Sequence, residues 1–575
     1  MSAQGSEILS ATLHRLGVQH LFGLPGTQNL ALIESLRRSP LKLIVPTHEM
    51  GATFMAGAYY RASGRVGVVT TIPGPGFTYA LTGLAEAKHD SAAVLYITLH
   101  QNPADVDRFR LQVIDQSAMT APVVKRVIEV TDIMTLAKQT VEAHTLALDG
   151  EPGPVMLAID PTVLNTNGPM PDDSLFNKRL VIPVAPDKTV SEIAELLKPS
   201  SRVLIMAGQG AAAAESQIRT LASRLHAPVI TTCSGRGIVA EDDPINCTYD
   251  FCFGGGEEIN HLIDTCDYVL ALGCKFTHNG SGGWKLKLPH EKLIHIDASI
   301  DVLGVNYPAD REVLSDTTAF VDKLLTCLGD TVNIPGFDRD ELVKWKARIV
   351  NEQKESIAWV PRLADAQPHT CADLFKSLQG YLPQDALIVT DSGLHQMLTR
   401  SLFQIRSPRG LIAPSDFQSM GFGLPAAIGA AIAQPGRKVV LVIGDGGLAM
   451  SAGELATAVR EKINLSVLLL NDHSFGLIRL QQIKDYGHEH AVSLGARDYE
   501  ALARSAGANY VRIKENLSTS VHEALDSKGV TLIEVRLQDT AKLQTMRAKN
   551  LAKERIRAVA GKRLTSWLKR LLGRK

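Results

Sequence analysis

Two oxygen-bearing side chains, Asp445 and Asn471, follow neighbouring predicted strands and could together bind a hard cation. Asp445 follows the apolar run 439–443 within the stretch GDGG, and Asn471 follows the apolar run 465–470. A helical pattern separates the runs, and parallel strands joined by a helix place both residues at one sheet edge. A carboxylate and an amide oxygen suit a divalent cation that keeps positions for phosphate oxygens and water. The alternative is a glycine turn with a solvated Asp and an Asn at a strand end.

Glycines beside Asp445 could let a phosphate group approach the backbone. Gly444, Gly446 and Gly447 carry no side chain, so their N–H groups can come close to an anion, and a helix N-terminus adds a favourable dipole. Ser451 and Glu454 have the spacing of a capping box, which predicts that a helix begins there. The sequence therefore predicts a metal and phosphate site at this sheet edge.

A second chemical candidate, Glu49, lies far away in the chain, in the stretch LIVPTHEMGATFMAGAYYRASG. It stands at the junction of a predicted strand and a helix rich in small residues. A glutamate in a largely apolar pocket could hold or transfer a proton. The alternative is that Glu49 only stabilises the N-terminus of its own helix. The neighbouring His48 could reach a substrate or form a local hydrogen bond.

Parallel sheets must position these residues, and the chain repeats the corresponding pattern three times. Short runs rich in Val and Ile alternate with amphipathic stretches, which indicates βαβ units. A chain of 575 residues is also too long for one hydrophobic core. We predict an α/β protein with three tandem doubly wound parallel-sheet domains and a tail, over residues 1–170, 187–340, 369–540 and 541–575.

The GDG stretch followed after 26 residues by Asn471 resembles the signature of the thiamine diphosphate enzyme superfamily. The resemblance implies that Asp445 and Asn471 bind Mg²⁺ and that the backbone carbonyl of His473 is a third ligand. It also implies that Glu49 protonates a pyrimidine nitrogen of thiamine diphosphate and so activates the coenzyme. The three predicted domains would then bind the pyrimidine, form a central Rossmann-like unit and bind the diphosphate.

Further motifs resemble the acetohydroxyacid synthase branch of that superfamily. GLPGTQN, IPGPGFTYALTGLAEAKHDS and LQVIDQSAMTAPVVK lie in the first domain, and DSGLHQM and SMGFGLPAAIGA lie in the third. The resemblance implies that Met420 wedges between the two coenzyme rings and that Gln116 points into the active site. The complete set of implied coenzyme-binding residues is Gly26, Gly74, Gly76, Gln116, Gly393, Leu394, His395, Met420, Gly444, Gly446, Gly447, Asn471 and Ile478.

The resemblance predicts a lyase or carboligase that acts on 2-oxo acids, acyloins (2-hydroxy ketones) or hydroxyacyl substrates. It also implies a homodimer or homotetramer with active sites between subunits. FAD is not favoured, because the central stretch GCKFTHN lacks the Arg and acidic pair of the synthases. An FAD-containing oxidase, a 2-hydroxyacyl-CoA lyase and a non-catalytic subunit of the same fold remain alternatives.

Charge and cysteine content add expectations about location and partners. Residues 541–575 contain twelve Lys or Arg residues and one acid, with apolar residues along one helical face. This pattern is typical of a helix that binds anionic lipid, and a helix packed on the enzyme's own acidic body is the alternative. Seven cysteines without CxxC spacing and the absence of a secretory pattern predict a cytoplasmic protein. We expect no nucleic-acid partner.

Overall fold

The computed structural model describes residues 2–101, 107, 109–177, 182–197, 202–247, 254–329, 336–356, 360–514 and 516–539. Three mostly parallel sheets follow one another along the chain, so the predicted tandem doubly wound α/β fold is confirmed. The basic tail, residues 541–575, lies outside the described residues. No helix within the described ranges is both long and apolar enough to span a bilayer.

The first sheet contains six parallel strands in the order β3-β2-β4-β5-β7-β6, and β1 pairs antiparallel with β8 beside it. Its strands are β1 (Ser2–Gln4), β2 (His20–Gly23), β3 (Lys42–Ile44), β4 (Gly67–Thr71), β5 (Val94–Leu99), β6 (Arg126–Val130), β7 (Pro154–Ile159) and β8 (Asn167–Pro169). Its helices are α1 (Gly5–Arg15), α2 (Leu30–Arg37), α3 (Glu49–Ser63), α4 (Pro75–His89), α5 (Gln116–Thr120), α6 (Leu136–Leu148) and α7 (Pro161–Asn165).

The second sheet is parallel throughout, with the strand order β10-β9-β11-β12-β13. Its strands are β9 (Val203–Ala207), β10 (Val229–Thr231), β11 (Tyr268–Leu272), β12 (Leu293–Asp297) and β13 (Arg311–Leu314). The surrounding helices are α8 (Asp187–Leu197), α9 (Glu215–Leu225), α10 (Gly256–Asp264) and α11 (Thr317–Leu328), and α12 (Arg339–Ser356) leads to the third sheet.

The third sheet has the order β14-β20-β18-β17-β15-β16, with β19 also paired to β20, and only the edge strand β14 is antiparallel. Its strands are β14 (Arg362–Leu363), β15 (Leu387–Thr390), β16 (Leu411–Ile412), β17 (Val439–Gly444), β18 (Leu465–Asn471), β19 (Asn509–Arg512) and β20 (Val530–Gln538). Its helices are α13 (Cys371–Tyr381), α14 (Leu394–Leu402), α15 (Gly423–Ala433), α16 (Asp445–Ser451), α17 (Glu454–Arg460), α18 (Gly476–Tyr486), α19 (Tyr499–Ala506) and α20 (Leu517–Asp526).

The first and third sheets share one hydrophobic core, because α3 packs directly against α15. The Phe54 and Phe422 rings meet edge to face with centroids 5.3 Å apart, a favoured aromatic geometry. Gly429 allows the closest approach, since a Cβ there would lie 2.1 Å from the carbonyl oxygen of Met55. Both helices are rich in Gly and Ala, and this composition lets their backbones come together.

Helix α17 begins at Glu454, as the spacing predicts, but the capping box of Ser451 and Glu454 does not form. Ser451 is the last residue of α16, and its hydroxyl donates to the Gly447 carbonyl at 3.3 Å. The Glu454 carboxylate instead accepts hydrogen bonds from the backbone N and the hydroxyl of Thr47, at 3.0 and 2.7 Å. The capping spacing is therefore coincidental, and Glu454 joins the third domain to the first.

Candidate active site at the edge of the third sheet

Asp445 and Asn471 lie side by side at the carboxyl edge of the third sheet. Strands β17 and β18 are parallel neighbours, and Gly444 pairs with Leu470, one residue before each side chain. Both side chains are buried, although each is polar. This is the juxtaposition that the two apolar runs predict, and in open α/β sheets ligands bind beyond the carboxyl ends of strands.

One carboxylate oxygen of Asp445 has no partner among the described residues. Its Oδ1 accepts from the Gly446 backbone N at 3.0 Å, whereas its Oδ2 is buried and unsatisfied. Burial, and then the nearby Asp472 carboxylate, raise the pKa of Asp445 to about 7. A buried, unsatisfied acid costs stability unless a positive group neutralises it. Asp445 therefore fits a cation ligand.

Asn471 is held with its carbonyl oxygen turned away from the neighbouring strand. Its Nδ2 donates to Glu534 Oε1 at 2.7 Å, and its Oδ1 accepts from the His473 backbone N at 3.1 Å. Glu534 lies on β20, is buried, and also accepts from the Tyr510 hydroxyl. Glu534 therefore fixes which amide atom can face a cation, a role that the sequence analysis missed.

The predicted third ligand is the backbone carbonyl of His473, two residues after Asn471. The residue has a left-handed φ of +55°, and its carbonyl accepts from the Leu494 backbone N at 2.9 Å. That bond leaves one lone pair on the carbonyl oxygen. Within the described ranges no group of three or more His, Cys, Asp or Glu side chains could hold a metal ion. A cation here would thus be bound by Asp445, Asn471 and a backbone oxygen. Phosphate oxygens or water would fill its remaining positions.

A cavity of about 100 Å³ opens beside Asp445, and glycines shape its wall. A Cβ on Gly446 would lie 2.8 Å from the Phe475 ring, and a Cβ on Gly444 would lie 2.8 Å from His395. A Cβ on Gly447 would lie 2.9 Å from the Asp391 carboxyl group. The same cavity is lined by further residues of the predicted set: Gly393, Leu394, His395, Met420 and Ile478.

The imidazole of His395 enters this cavity in the neutral form. Burial lowers the pKa of His395 to about 3, and its Nε2 has no partner among the described residues. Helix α14 begins beside it at Leu394, directly after Gly393. Neutral donors and a helix N-terminus suit an anionic group such as a diphosphate.

Glu49 lies in the first domain, and one of the three glycines predicted there approaches its carboxyl group. A Cβ on Gly76 would lie 3.1 Å from Glu49 Oε1. Gly74 has a φ of +66°, and a Cβ there would lie 2.8 Å from the Gln112 side chain. A Cβ on Gly26 would lie 2.5 Å from Ile72. Glu49 is half-buried and does not line the cavity at Asp445, whose walls all come from the third domain.

His48 and Gln116 form local contacts. The His48 Nδ1 accepts from the Met50 backbone N at 3.1 Å and so caps α3. The Gln116 amide is buried, donates to the Leu99 carbonyl at 2.9 Å and accepts from the Thr98 hydroxyl at 3.1 Å. This placement does not support Gln116 as a residue that points into an open site. Gln112, which contacts Gly74 and bonds to Gln28, is the better-placed glutamine.

A cleft of about 140 Å³ lies between the three domains, beside the central-domain residues Gly210 and Gly273. Lys275 lines this cleft and is paired with Glu151 at 2.5 Å. Asp297 also lines it, and burial raises the pKa of its carboxyl to about 6. The GQG glycine Gly208 serves backbone packing, because a Cβ there would lie 2.1 Å from the Gly273 carbonyl. A paired lysine and a buried acid give no specific support for an anionic dinucleotide such as FAD in this cleft, although Arg409 also lines it.

Comparisons with known proteins agree with this geometry. Residues 3–119, 190–324 and 391–535 match the N-terminal TPP binding, central and C-terminal TPP binding domains of thiamine pyrophosphate enzymes. The acetolactate synthase large subunit of Lactococcus lactis is 30% identical over 523 residues, which cover 88% of each chain.

Two other relatives extend this similarity. The acetolactate synthase isozyme 1 large subunit of Escherichia coli is 27% identical and matches 94% of this chain and 95% of its own. A probable large subunit from Methanocaldococcus jannaschii is 29% identical over 92% of this chain and 91% of its own. This chain therefore belongs to the acetolactate synthase-like family of thiamine pyrophosphate-dependent enzymes.

Proposed function

We propose that this protein is a thiamine diphosphate- and Mg²⁺-dependent carboligase or lyase that acts on 2-oxo acids or 2-hydroxy ketones. The observation that carries the proposal is the buried, unsatisfied Oδ2 of Asp445, a residue that lies beside Asn471 and lines a glycine-walled cavity. The relatives are acetolactate synthases by name, which supports a carbon–carbon bond-forming reaction next to a carbonyl. The FAD-containing oxidase has less support, because the Lys275 side chain in the central cleft is paired with Glu151.

The third domain would hold the charged end of the coenzyme. Asp445, Asn471 and the His473 carbonyl would bind Mg²⁺, a cation that prefers oxygen ligands. Bare backbone at Gly444, Gly446 and Gly447 would approach the diphosphate, and Gly393, Leu394 and His395 would border it. Met420 and Ile478 would contact the rings, because both side chains line the same cavity.

When bound, the coenzyme's thiazolium supplies the carbon nucleophile and stores the electron pair released by carbon–carbon cleavage. Glu49 would hold a proton against a pyrimidine ring nitrogen, with Gly76 leaving room beside its carboxyl group. Gly26 and Gly74 would border the same region of the first domain. The protein residues would thus position, polarise or protonate the coenzyme, and the reactive carbon belongs to the coenzyme itself.

Within one chain Glu49 does not line the Asp445 cavity, and this supports an assembly of subunits. We propose a homodimer or homotetramer in which Glu49 of one subunit completes the cavity of another. Exposed apolar side chains lie near both regions: the Tyr79 ring packs against His48, the neighbour of Glu49, and Ile478 lines the cavity. Association that covers such side chains would be favourable.

The basic segment 541–575 supports a separate proposal of contact with an anionic membrane surface. Its net charge is +11, from twelve Lys or Arg and one Glu, and each basic residue near an anionic surface contributes about 1 kcal/mol. Cosedimentation of the full chain with phosphatidylglycerol vesicles, but not with phosphatidylcholine vesicles, would support it. Equal recovery with both kinds of vesicle would contradict it.

An activity assay on a substrate panel tests the main proposal. The purified chain is incubated with 2-oxo acids, acyloins and 2-hydroxyacyl-CoA compounds, with and without thiamine diphosphate and Mg²⁺. We expect product from at least one carbonyl substrate, and only when both cofactors are present. A Glu49→Gln variant serves as the matched control. Turnover without the coenzyme, or none on any substrate, would contradict the proposal.

A further inference from the structure

The backbone on both sides of Met420 is held by buried carboxylates from two different domains. The N–H of Ser419, just before Met420, donates to Glu86 Oε2 at 2.8 Å. The N–H of Gly421, just after it, donates to Asp391 Oδ1 at 3.1 Å. Glu86 lies on α4 of the first domain, whereas Asp391 follows β15 of the third. The peptide groups on both sides of Met420 are therefore fixed by hydrogen bonds.

Glu86 lowers the stability of the folded chain at this position, so stability alone does not explain its presence. Its side chain is 1% exposed, and its Oε1 has no partner among the described residues. Burial, and then the neighbouring Asp90, raise the pKa of Glu86 to about 7, although hydrogen bonding to Ser419, and then Arg61, oppose the shift. A buried carboxyl group that is only partly satisfied lowers stability. The Glu86 carboxylate does accept a hydrogen bond from the Ser419 backbone N. This bond indicates a positioning role.

The nearby ion pair of Asp90 and Arg61 holds a different part of the same loop. Asp90 pairs with Arg61 at 2.6 Å, and its Oδ1 accepts from the Ser415 backbone N at 3.0 Å. Arg61 also donates to the Ala413 carbonyl at 2.6 Å. These bonds fasten the start of the loop that leads to Met420. The bond from Ser419 to Glu86 is thus separate, and it acts one residue from the methionine.

Met420 has little freedom to move without disturbing the cavity wall. A Cβ on Gly446 would lie 3.3 Å from the Met420 Cε, so the thioether lies over the glycine that would face the coenzyme. Gly421 has a φ of +79°, which lets the chain turn sharply after the methionine. A shift of the peptide at Ser419 would therefore move the Met420 side chain within the cavity.

We propose that Glu86 is a positioning residue that sets the place of Met420 for coenzyme binding across the boundary between two domains. This inference rests on the proposed function, since it takes Met420 to contact the coenzyme. Asp391 anchors the other side with two bonds, the second from the Gly423 N–H at 2.9 Å. Removing the Glu86 acceptor therefore releases the Ser419 backbone N, whereas the bonds from Gly421 and Gly423 to Asp391 stay in place.

Two variants of similar size separate the acceptor from the charge. Glu86→Gln keeps an oxygen that can accept from Ser419, whereas Glu86→Met keeps the length and removes the acceptor. Calorimetry at saturating Mg²⁺ gives the Kd of thiamine diphosphate for each. We expect Glu86→Gln to bind within about twofold of the unmodified chain and Glu86→Met to bind about tenfold more weakly, the usual effect of losing a bond to a charged group.

A double-mutant cycle with Met420→Ala distinguishes positioning from general damage. If Glu86 acts through Met420, Glu86→Met should weaken binding less than twofold further in the Met420→Ala background. An undiminished tenfold effect in that background would overturn the inference, and so would unchanged binding by Glu86→Met alone. If the unmodified chain does not bind thiamine diphosphate, the proposed function is wrong. The inference about Glu86, which rests on that function, is then wrong as well.

Discussion

The bond from Asn471 to Glu534 gives the sharpest prediction about how the sheet prepares a metal ligand. Changing Glu534 to Leu removes the acceptor of the Asn471 Nδ2 at 2.7 Å and of the Tyr510 hydroxyl. A hydrogen bond to a charged group contributes about 1.5–3 kcal/mol. Loss of a residue that orients a metal ligand typically weakens metal binding by about 10–100-fold. We therefore expect the Mg²⁺ concentration for half-maximal coenzyme binding to rise by about that factor.

The assay is a Mg²⁺ titration at fixed thiamine diphosphate, followed by calorimetry. Glu534→Gln should need a Mg²⁺ concentration much closer to that of the unmodified chain, because its amide oxygen can still accept from Asn471. Tyr510→Phe removes a different donor to Glu534 and should change the Mg²⁺ requirement less than about threefold, because Arg536 also donates to this carboxylate. Parental Mg²⁺ binding by Glu534→Leu, or an equal loss in Tyr510→Phe, would refute the reasoning.

Three further predictions concern proton transfer, space and burial. Glu49→Gln should bind the coenzyme normally and lose about 10²–10⁴-fold in kcat; near-normal turnover would contradict the role of Glu49. Gly446→Ala places a Cβ 2.8 Å from Phe475 and should weaken coenzyme binding about tenfold in calorimetry. Gly436→Ala, with nothing within 4 Å of its Cβ, should have no effect, and equal effects would refute the steric argument. Because burial raises the pKa of Glu86 from 4.5 to about 7, ionisation costs the folded state stability as pH rises. Glu86→Gln should therefore gain up to about 3 kcal/mol over the unmodified chain between pH 5 and pH 8 in denaturant melts, and a constant difference would be inconsistent with that burial.

The sequence could predict the centre of the site because strand ends are local signals. The apolar runs before Asp445 and Asn471 identify buried strands, and a single helix between them requires parallel neighbours. The structure pairs those strands with Gly444 opposite Leu470. The cavity-lining glycines and His395 were also predictable, because they follow strands of the same sheet. Family resemblance supplied their roles.

The sequence could not predict contacts between residues that are far apart in the chain. Glu534 reaches Asn471 across 63 residues, and Glu86 reaches Ser419 across 333. Nothing local distinguishes either acid from an exposed helix or strand residue. Glu454 illustrates the opposite error, because a plausible local capping pattern gave way to a contact with Thr47 in another domain. Tertiary packing decides in all three cases.

Gln116 shows how a motif can mislead by a few residues. LQVIDQSAMTAPVVK contains two glutamines, and the motif does not say which one faces the site. The structure buries the Gln116 amide against Thr98 and Leu99, whereas Gln112 contacts Gly74. Burial and hydrogen bonding separate the two residues, and both properties depend on the folded loop.

Anomalous scattering from Mn²⁺ in crystals grown with thiamine diphosphate tests the central claim most directly. Mn²⁺ takes the same oxygen ligands as Mg²⁺, so its position reports the metal site. We predict one strong peak between Asp445 Oδ2 and Asn471 Oδ1, within about 2.0–2.4 Å of both oxygens. A peak elsewhere in the molecule, or bound coenzyme with no metal between these two residues, would contradict the account.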